Sequence, residues 1–191
     1  MNNSEPKKLF GECLRQASQV VSQVKPDDFN NKTPDNDWNV EQLLKHLYYE
    51  LNWIKEVVSG KTLAEVGSKY YQLVIDEFIV KNWEKEALRA LEAVNRADMN
   101  SMVHLSYGDH KADQYIKQVS GELVIHAWDL SIGINKQLLI DQHIVAQLYS
   151  LAKPRANMMS ASGLFNPVLP TTEDDDLQTK LLAIYGRKNV N

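Results

Sequence analysis

The chain has 191 residues, of which 43% are hydrophobic and 24% are charged, as in ordinary globular proteins, and its length predicts a single domain over residues 1–191. A net charge of −4 and a pI near 5.7 offer no basic surface, so we expect no nucleic-acid partner. No apolar run approaches the roughly 20 residues that span a bilayer, and no signal-peptide core follows the polar start, so we expect no membrane partner and a cytoplasmic location.

Apolar residues recur at three- and four-residue steps through most of the chain, which is the spacing of amphipathic helices. Pro6 suits the first turn of the first helix, and Cys13 falls on its apolar side as a small core residue. The second helix is capped by Asn39, with Gln42 completing a capping box, or alternatively by Asp37. We predict helices over about 6–24, 39–59, 82–96, 113–132, 140–152 and 177–185.

The segments between these helices carry turn-forming residues or lack a helical period. Pro154 is expected to stop the fifth helix. The acidic run 173–176 lacks the ligand spacing of a calcium loop and is interpreted as a solvated helix start. We predict a loop over 25–37, one short helix and a connector over 61–81, a turn with extended flanks over 99–113, and an extended crossover over 163–170.

Two side chains able to bind a metal lie four residues apart in the otherwise apolar segment 121–130. Residues at this spacing share one helix face, so Glu122 and His126 can reach the same ion, and Asp129 lies close enough to bind and orient the His126 ring. A catalytic zinc site needs about three protein ligands and an open position. His46, at the edge of the apolar stripe of the second helix, is the best third candidate.

The alternative interpretations are a solvated Glu/His pair and a histidine bonded to the backbone. Against the first, Glu122 lies among apolar neighbours, where an unpartnered carboxylate would cost several kcal/mol or take up a proton. A metal would remove that cost. The sequence therefore predicts a metal site made by His46, Glu122 and His126.

Three segments together carry a family resemblance. They are D-W-N-V-x-x-L-L-x-H-L at 37–47, E-x-x-x-H-A-W-D-L at 122–130 and L-L-A-I-Y-G-R at 181–187. In these the chain resembles the metal-binding DinB/YfiT-like superfamily, in the branch that contains the N-terminal domain of mycothiol-dependent maleylpyruvate isomerase. The resemblance implies a mostly all-α four-helix bundle with short extra helices and at most a small extended element.

The same resemblance implies a divalent metal, often zinc, held by two histidines and, in this branch, a glutamate, with a small thiol or water at its open position. Mixed imidazole and carboxylate ligation also suits nickel, manganese or iron. The expected function is a metal-dependent enzyme that transfers a low-molecular-weight thiol or water to a small electrophilic substrate, or isomerises that substrate. The isomerase that it resembles has a second domain, which these 191 residues do not include, so its particular reaction is not expected.

Two alternatives to a metal-dependent enzyme agree with the same residues. The first is a non-catalytic metal-binding or stress-response module that serves as an interaction scaffold, and the second is a bundle that has lost its metal. Bundles of this kind often pair through exposed helix faces, so a homodimer is considered beside the monomer.

Overall fold

A computed structural model describes residues 4–35, 38–70, 79–161 and 166–189. Three sequence predictions fall outside these ranges, wholly or in part: the alternative cap at Asp37, the connector residues 71–78, and the start of the crossover at 163–165. The helices are α1 (Ser4–Val21), α2 (Val40–Val57), α3 (Leu63–Val66), α4 (Ile79–Arg96), α5 (Ala112–Gly133), α6 (Gln142–Ala152), α7 (Ala156–Ala161) and α8 (Leu177–Ile184). The strands are β1 (Met102–Leu105) and β2 (Gly108–Lys111).

Four long helices pack side by side as a bundle. Helix α1 contacts α4 and α5, and α2 contacts the same two helices, so each has two neighbours in the ring. Their inward faces form one continuous core that includes Phe10, Leu47, Trp83 and Leu123, all at most 1% exposed. Each such side chain contributes roughly 1.5–3 kcal/mol of burial free energy. The predicted mostly helical four-helix bundle is confirmed.

Helices α6 and α8 cover the outer side of α5. They form a second apolar cluster with it, in which Val124 and Trp128 of α5 meet Leu148 and Leu181. As a result α5 is buried on nearly all sides, as its apolar sequence indicates. Gln118, Glu122 and His126 are half-buried, at one-turn intervals along one face of this helix.

Several local predictions are confirmed. The Asn39 side chain accepts a hydrogen bond from the Gln42 backbone nitrogen at 2.9 Å, and the Gln42 side chain accepts one from the Asn39 backbone nitrogen at 3.0 Å. This is the expected capping box. The predicted turn with extended flanks is the antiparallel hairpin of β1 and β2. Asp176, at the end of the acidic run, caps α8 by accepting from the Thr179 nitrogen.

The region after α6 differs from the prediction. A 3₁₀ turn at Lys153–Arg155 carries Pro154 in its first turn, and the short helix α7 follows it. Proline is tolerated there because the first amides of a new turn need no acceptor within the helix. Pro154 therefore ends α6 but does not end helical structure.

None of the described helices has both the length and the apolar character required to cross a bilayer.

Candidate metal centre and cavity

A cavity of about 560 Å³ is lined by residues of α2, α5, the β1–β2 turn and the C-terminal segment. Its size is typical of sites for small molecules. The three predicted ligands, His46, Glu122 and His126, all line it. Two helices that are remote in sequence thus bring the three side chains to one cavity. That they bind a common ion remains a prediction.

His46 is half-buried on α2 and lies in an aromatic environment. Its ring stacks on Trp38, with centroids 4.6 Å apart, and stands edge-on to His126 at 5.0 Å. Burial, and secondarily the neighbouring His126, lower the pKa of His46 to about 3. The imidazole is therefore neutral near pH 7, which is the form that a metal ligand requires.

His126 is held by a buried carboxylate one helical turn further along α5. Its Nδ1 lies 3.3 Å from Oδ2 of Asp129, which is fully buried. A histidine whose Nδ1 is bonded to a carboxylate keeps its Nε2 for a metal. Asp129 thus occupies the position expected of a residue that orients His126.

Arg187 completes this arrangement from the C-terminal segment and was not singled out as a site residue in the sequence. Its Nε donates to Oδ1 of Asp129 at 3.0 Å, and its Nη2 donates to Oδ2 of Asp129 at 2.9 Å and to Oδ2 of Asp35 at 2.5 Å. The guanidinium is 6% exposed, and both carboxylates favour its charged form. The signal was present, since Arg187 closes the third segment of the resemblance, but its partners could not be inferred.

Asp35 also lacked a sequence signal, because it lies in a loop without periodicity. Among the described residues, Asp35, His126 and Asp129 form a group whose ligand atoms all lie within 4.8 Å of one another. His46 and Glu122 line the cavity but lie outside this group. Because Arg187 donates to both aspartates, we interpret the group as an ion-pair network that supports His126.

Glu122 is half-buried on the same face of α5 as His126. Its Oε1 accepts a hydrogen bond from Gln118 Nε2 at 3.0 Å, and Gln118 in turn accepts one from the Tyr107 hydroxyl. Burial raises the pKa of Glu122, while Gln118 and His126 oppose the rise. A half-buried carboxylate that lines the same cavity as two imidazoles fits a cation, and two nitrogen donors with one oxygen donor are a set that zinc accepts.

Fold and cavity together define a helical-bundle protein whose cavity combines imidazole and carboxylate donors. The chain matches the model of the family described as mycothiol maleylpyruvate isomerase N-terminal domain over residues 10–131. It belongs to this DinB/YfiT-like family. Comparison with curated proteins and with solved structures gave no match. The matched stretch runs from α1 into α5, so Arg187 lies outside it.

Proposed function

We propose that this protein is a metal-dependent enzyme in which His46, Glu122 and His126 hold one divalent ion, with zinc as the first candidate. Its substrate is a small electrophilic molecule, to which a low-molecular-weight thiol or water is added. The observation that carries the proposal is that these three side chains line one cavity, although their helices are about 80 positions apart in sequence. Membership of a family named for a thiol-dependent isomerase supports it.

The protein's own residues have separate roles in this proposal. The ion, when bound, lowers the pKa of a thiol or water beside it, so that an anionic nucleophile exists near neutral pH. Asp129 fixes the orientation of the His126 ring, and Arg187 fixes Asp129. Gln118 positions Glu122 by donating a hydrogen bond to its carboxylate. The remaining cavity volume accommodates the substrate, which favours an enzyme over a closed metal-binding scaffold.

Elemental analysis tests the metal site. We expect purified protein reloaded with Zn²⁺ to retain about one ion per chain after dialysis, as a site with three protein ligands would. His46→Ala and His126→Ala should lose it, because each removes one donor. His143→Ala is the matched control, since His143 is exposed on α6 and should leave the zinc content unchanged. Wild-type protein without stoichiometric metal would refute the proposal.

Cobalt substitution distinguishes the enzyme from the scaffold. If an open position faces the cavity, adding 2-mercaptoethanol to the Co²⁺ protein should change its visible absorption spectrum. An unchanged spectrum in protein that contains stoichiometric cobalt would support the non-catalytic scaffold instead.

A further inference from the structure

The cavity walls carry more acidic than basic side chains. Among the described lining residues, Asp35, Glu50 and Glu122 are carboxylates, and Arg187 is the one guanidinium or ammonium group. The segments outside the described ranges contain no Lys or Arg. Arg187 is bound by Asp35 and by Asp129, so its charge is already compensated. The rest of the cavity is therefore acidic.

Glu50 is the carboxylate that the proposed function does not use. It lies four residues after His46 on α2, on the same helix face. Among the described residues it has no hydrogen bond and no ion pair. Burial, and secondarily the charge of Glu122, raise the pKa of Glu50 to about 8. If Glu122 binds a metal, Glu50 still lacks a positive partner.

Tyr115, on α5, supplies an independent observation. It is 5% exposed, lines the cavity, and its buried hydroxyl has no hydrogen-bond partner among the described residues. Leaving such a hydroxyl unpaired costs free energy, so a native protein usually has a use for it. Its position on α5, seven residues before Glu122, puts it on the side of the helix that carries Glu122.

Aromatic rings make up much of the wall around these groups. Tyr49 and Trp53 stack at 5.9 Å with an angle of 13° between their planes, and both line the cavity, as does Tyr107. The faces of such rings attract cations, and the attraction grows when the cation is desolvated. Aromatic rings beside an unpaired carboxylate are the combination that recognises organic ammonium groups.

We propose that this cavity binds an organic ammonium group between Glu50 and Tyr115, so that the ligand it selects is a small amine rather than a carboxylate. The inference deepens the proposed function, on which it rests for the use of the cavity as a substrate site. Because its pKa is about 8, free Glu50 carries a proton at pH 7; binding of the ammonium group releases that proton to solvent, and the resulting carboxylate is the counter-charge. The Tyr115 hydroxyl accepts an N–H donor, and the aromatic side chains shield the pair from water. An anionic ligand would find no such partner, because Arg187 is already paired with Asp35 and Asp129.

Three probes of nearly the same shape test the charge preference: benzylamine, benzyl alcohol and benzoate. Their binding is measured by isothermal titration calorimetry at pH 7 in zinc-loaded and in chelator-treated protein, because the chelated form excludes direct coordination of a probe. We expect benzylamine to bind about tenfold or more tighter than benzyl alcohol in both forms, and benzoate to bind most weakly in the chelated form.

Substitutions test whether Glu50 and Tyr115 cause the preference for benzylamine. Glu50→Gln should lower the affinity for benzylamine about tenfold and leave that for benzyl alcohol unchanged. Tyr115→Phe should also weaken benzylamine binding, with a melting temperature at least equal to that of wild type, because the lost hydroxyl has no partner among the described residues. Glu41→Gln is the matched control, since it makes the same substitution on α2 outside the cavity. Benzylamine affinity unchanged in Glu50→Gln would overturn the inference, as would benzoate binding more tightly than benzylamine to the chelated protein.

Zinc content measured on the same samples separates the two proposals. Protein that prefers benzylamine but holds no zinc contradicts the proposed function alone. Protein that holds one zinc and shows no preference for the amine contradicts this inference alone.

Discussion

At the scale of single residues, the candidate site depends on one buried carboxylate. Asp129 is fully buried, and it joins His126 to Arg187. The network explains why an aspartate is tolerated inside α5, since each of its oxygens accepts hydrogen bonds from the guanidinium. A buried charge with such partners is stable, whereas removing either partner leaves the other uncompensated.

Asp129→Asn should therefore weaken metal binding without removing a metal ligand. The neutral amide no longer matches the charge of Arg187 and holds the His126 ring less firmly, so we expect zinc affinity to fall about 10- to 100-fold. Competition with a chromophoric chelator measures this. Asp109→Asn is the control, because Asp109 is exposed and its partner His104 is outside the site. Equal zinc affinity in wild type and Asp129→Asn would show that this carboxylate does not position His126.

At the scale of secondary structure elements, the end of α8 decides where Arg187 lies. Gly186 follows the helix with φ +71, and its nitrogen donates to the Ala183 carbonyl while the Arg187 nitrogen donates to that of Leu182. This glycine cap turns the chain so that Arg187 reaches back into the bundle. A β-carbon at position 186 would also collide with Asn166 and lie 3.0 Å from the Pro167 carbonyl oxygen.

Gly186→Ala should be more harmful than a matched glycine replacement. Gly60 also has a positive φ, of +86, but a β-carbon there meets nothing within 4 Å. We expect Gly60→Ala to lower the free energy of unfolding by about 1 kcal/mol through backbone strain alone, and Gly186→Ala to lower it by about 2–4 kcal/mol because steric overlap adds to the strain. Urea denaturation measures both. Equal losses would mean that the segment around Asn166 yields to the added methyl group.

At the scale of the whole molecule, one carboxylate ties the end of α2 to the segment that follows it. Glu56 is 8% exposed and accepts hydrogen bonds from Lys61, Lys69 and Tyr70. These bonds, that of Lys61 first, lower its pKa from 4.5 to about 2. Because the pKa is lower in the folded protein, the contribution of Glu56 to stability is complete above pH 4.5. It is lost as the pH falls towards 2.

The pH dependence of a variant tests this contribution. At pH 7 we expect Glu56→Gln to lower the free energy of unfolding by about 1–3 kcal/mol, since three donors lose a charged acceptor. The difference from wild type should shrink between pH 4.5 and pH 3, because Glu56 takes up a proton in the unfolded chain over this range while it stays ionised in the folded protein. Denaturation at pH 7, 4.5 and 3 measures it. Glu92→Gln, which breaks an exposed pair with Arg96, should change stability by less than about 0.5 kcal/mol. A constant difference across this pH range would contradict the assignment.

The helices and their ends could be predicted because their causes are local. A three- and four-residue apolar period specifies which face of a helix is buried, and the capping box of Asn39 and Gln42 marks the start of α2 within four residues of chain. The spacing of Glu122, His126 and Asp129 is equally local, and it is enough to place all three on one helix face. Helix α7 was not predicted, because a proline after a helix usually stops it, whereas Pro154 begins a new turn.

The mostly helical bundle, the family resemblance and the candidate ligands on α2 and α5 thus follow from the order of the amino acids. How those ligands are supported, and what surrounds them, depends on tertiary packing. Arg187 bonds to residues 58 and 152 positions away, and no periodicity relates such distant positions. The pairing of Arg187 with Asp35 and Asp129, and the acidic, aromatic cavity lined by Glu50 and Tyr115, exist because helix packing brings separate segments together.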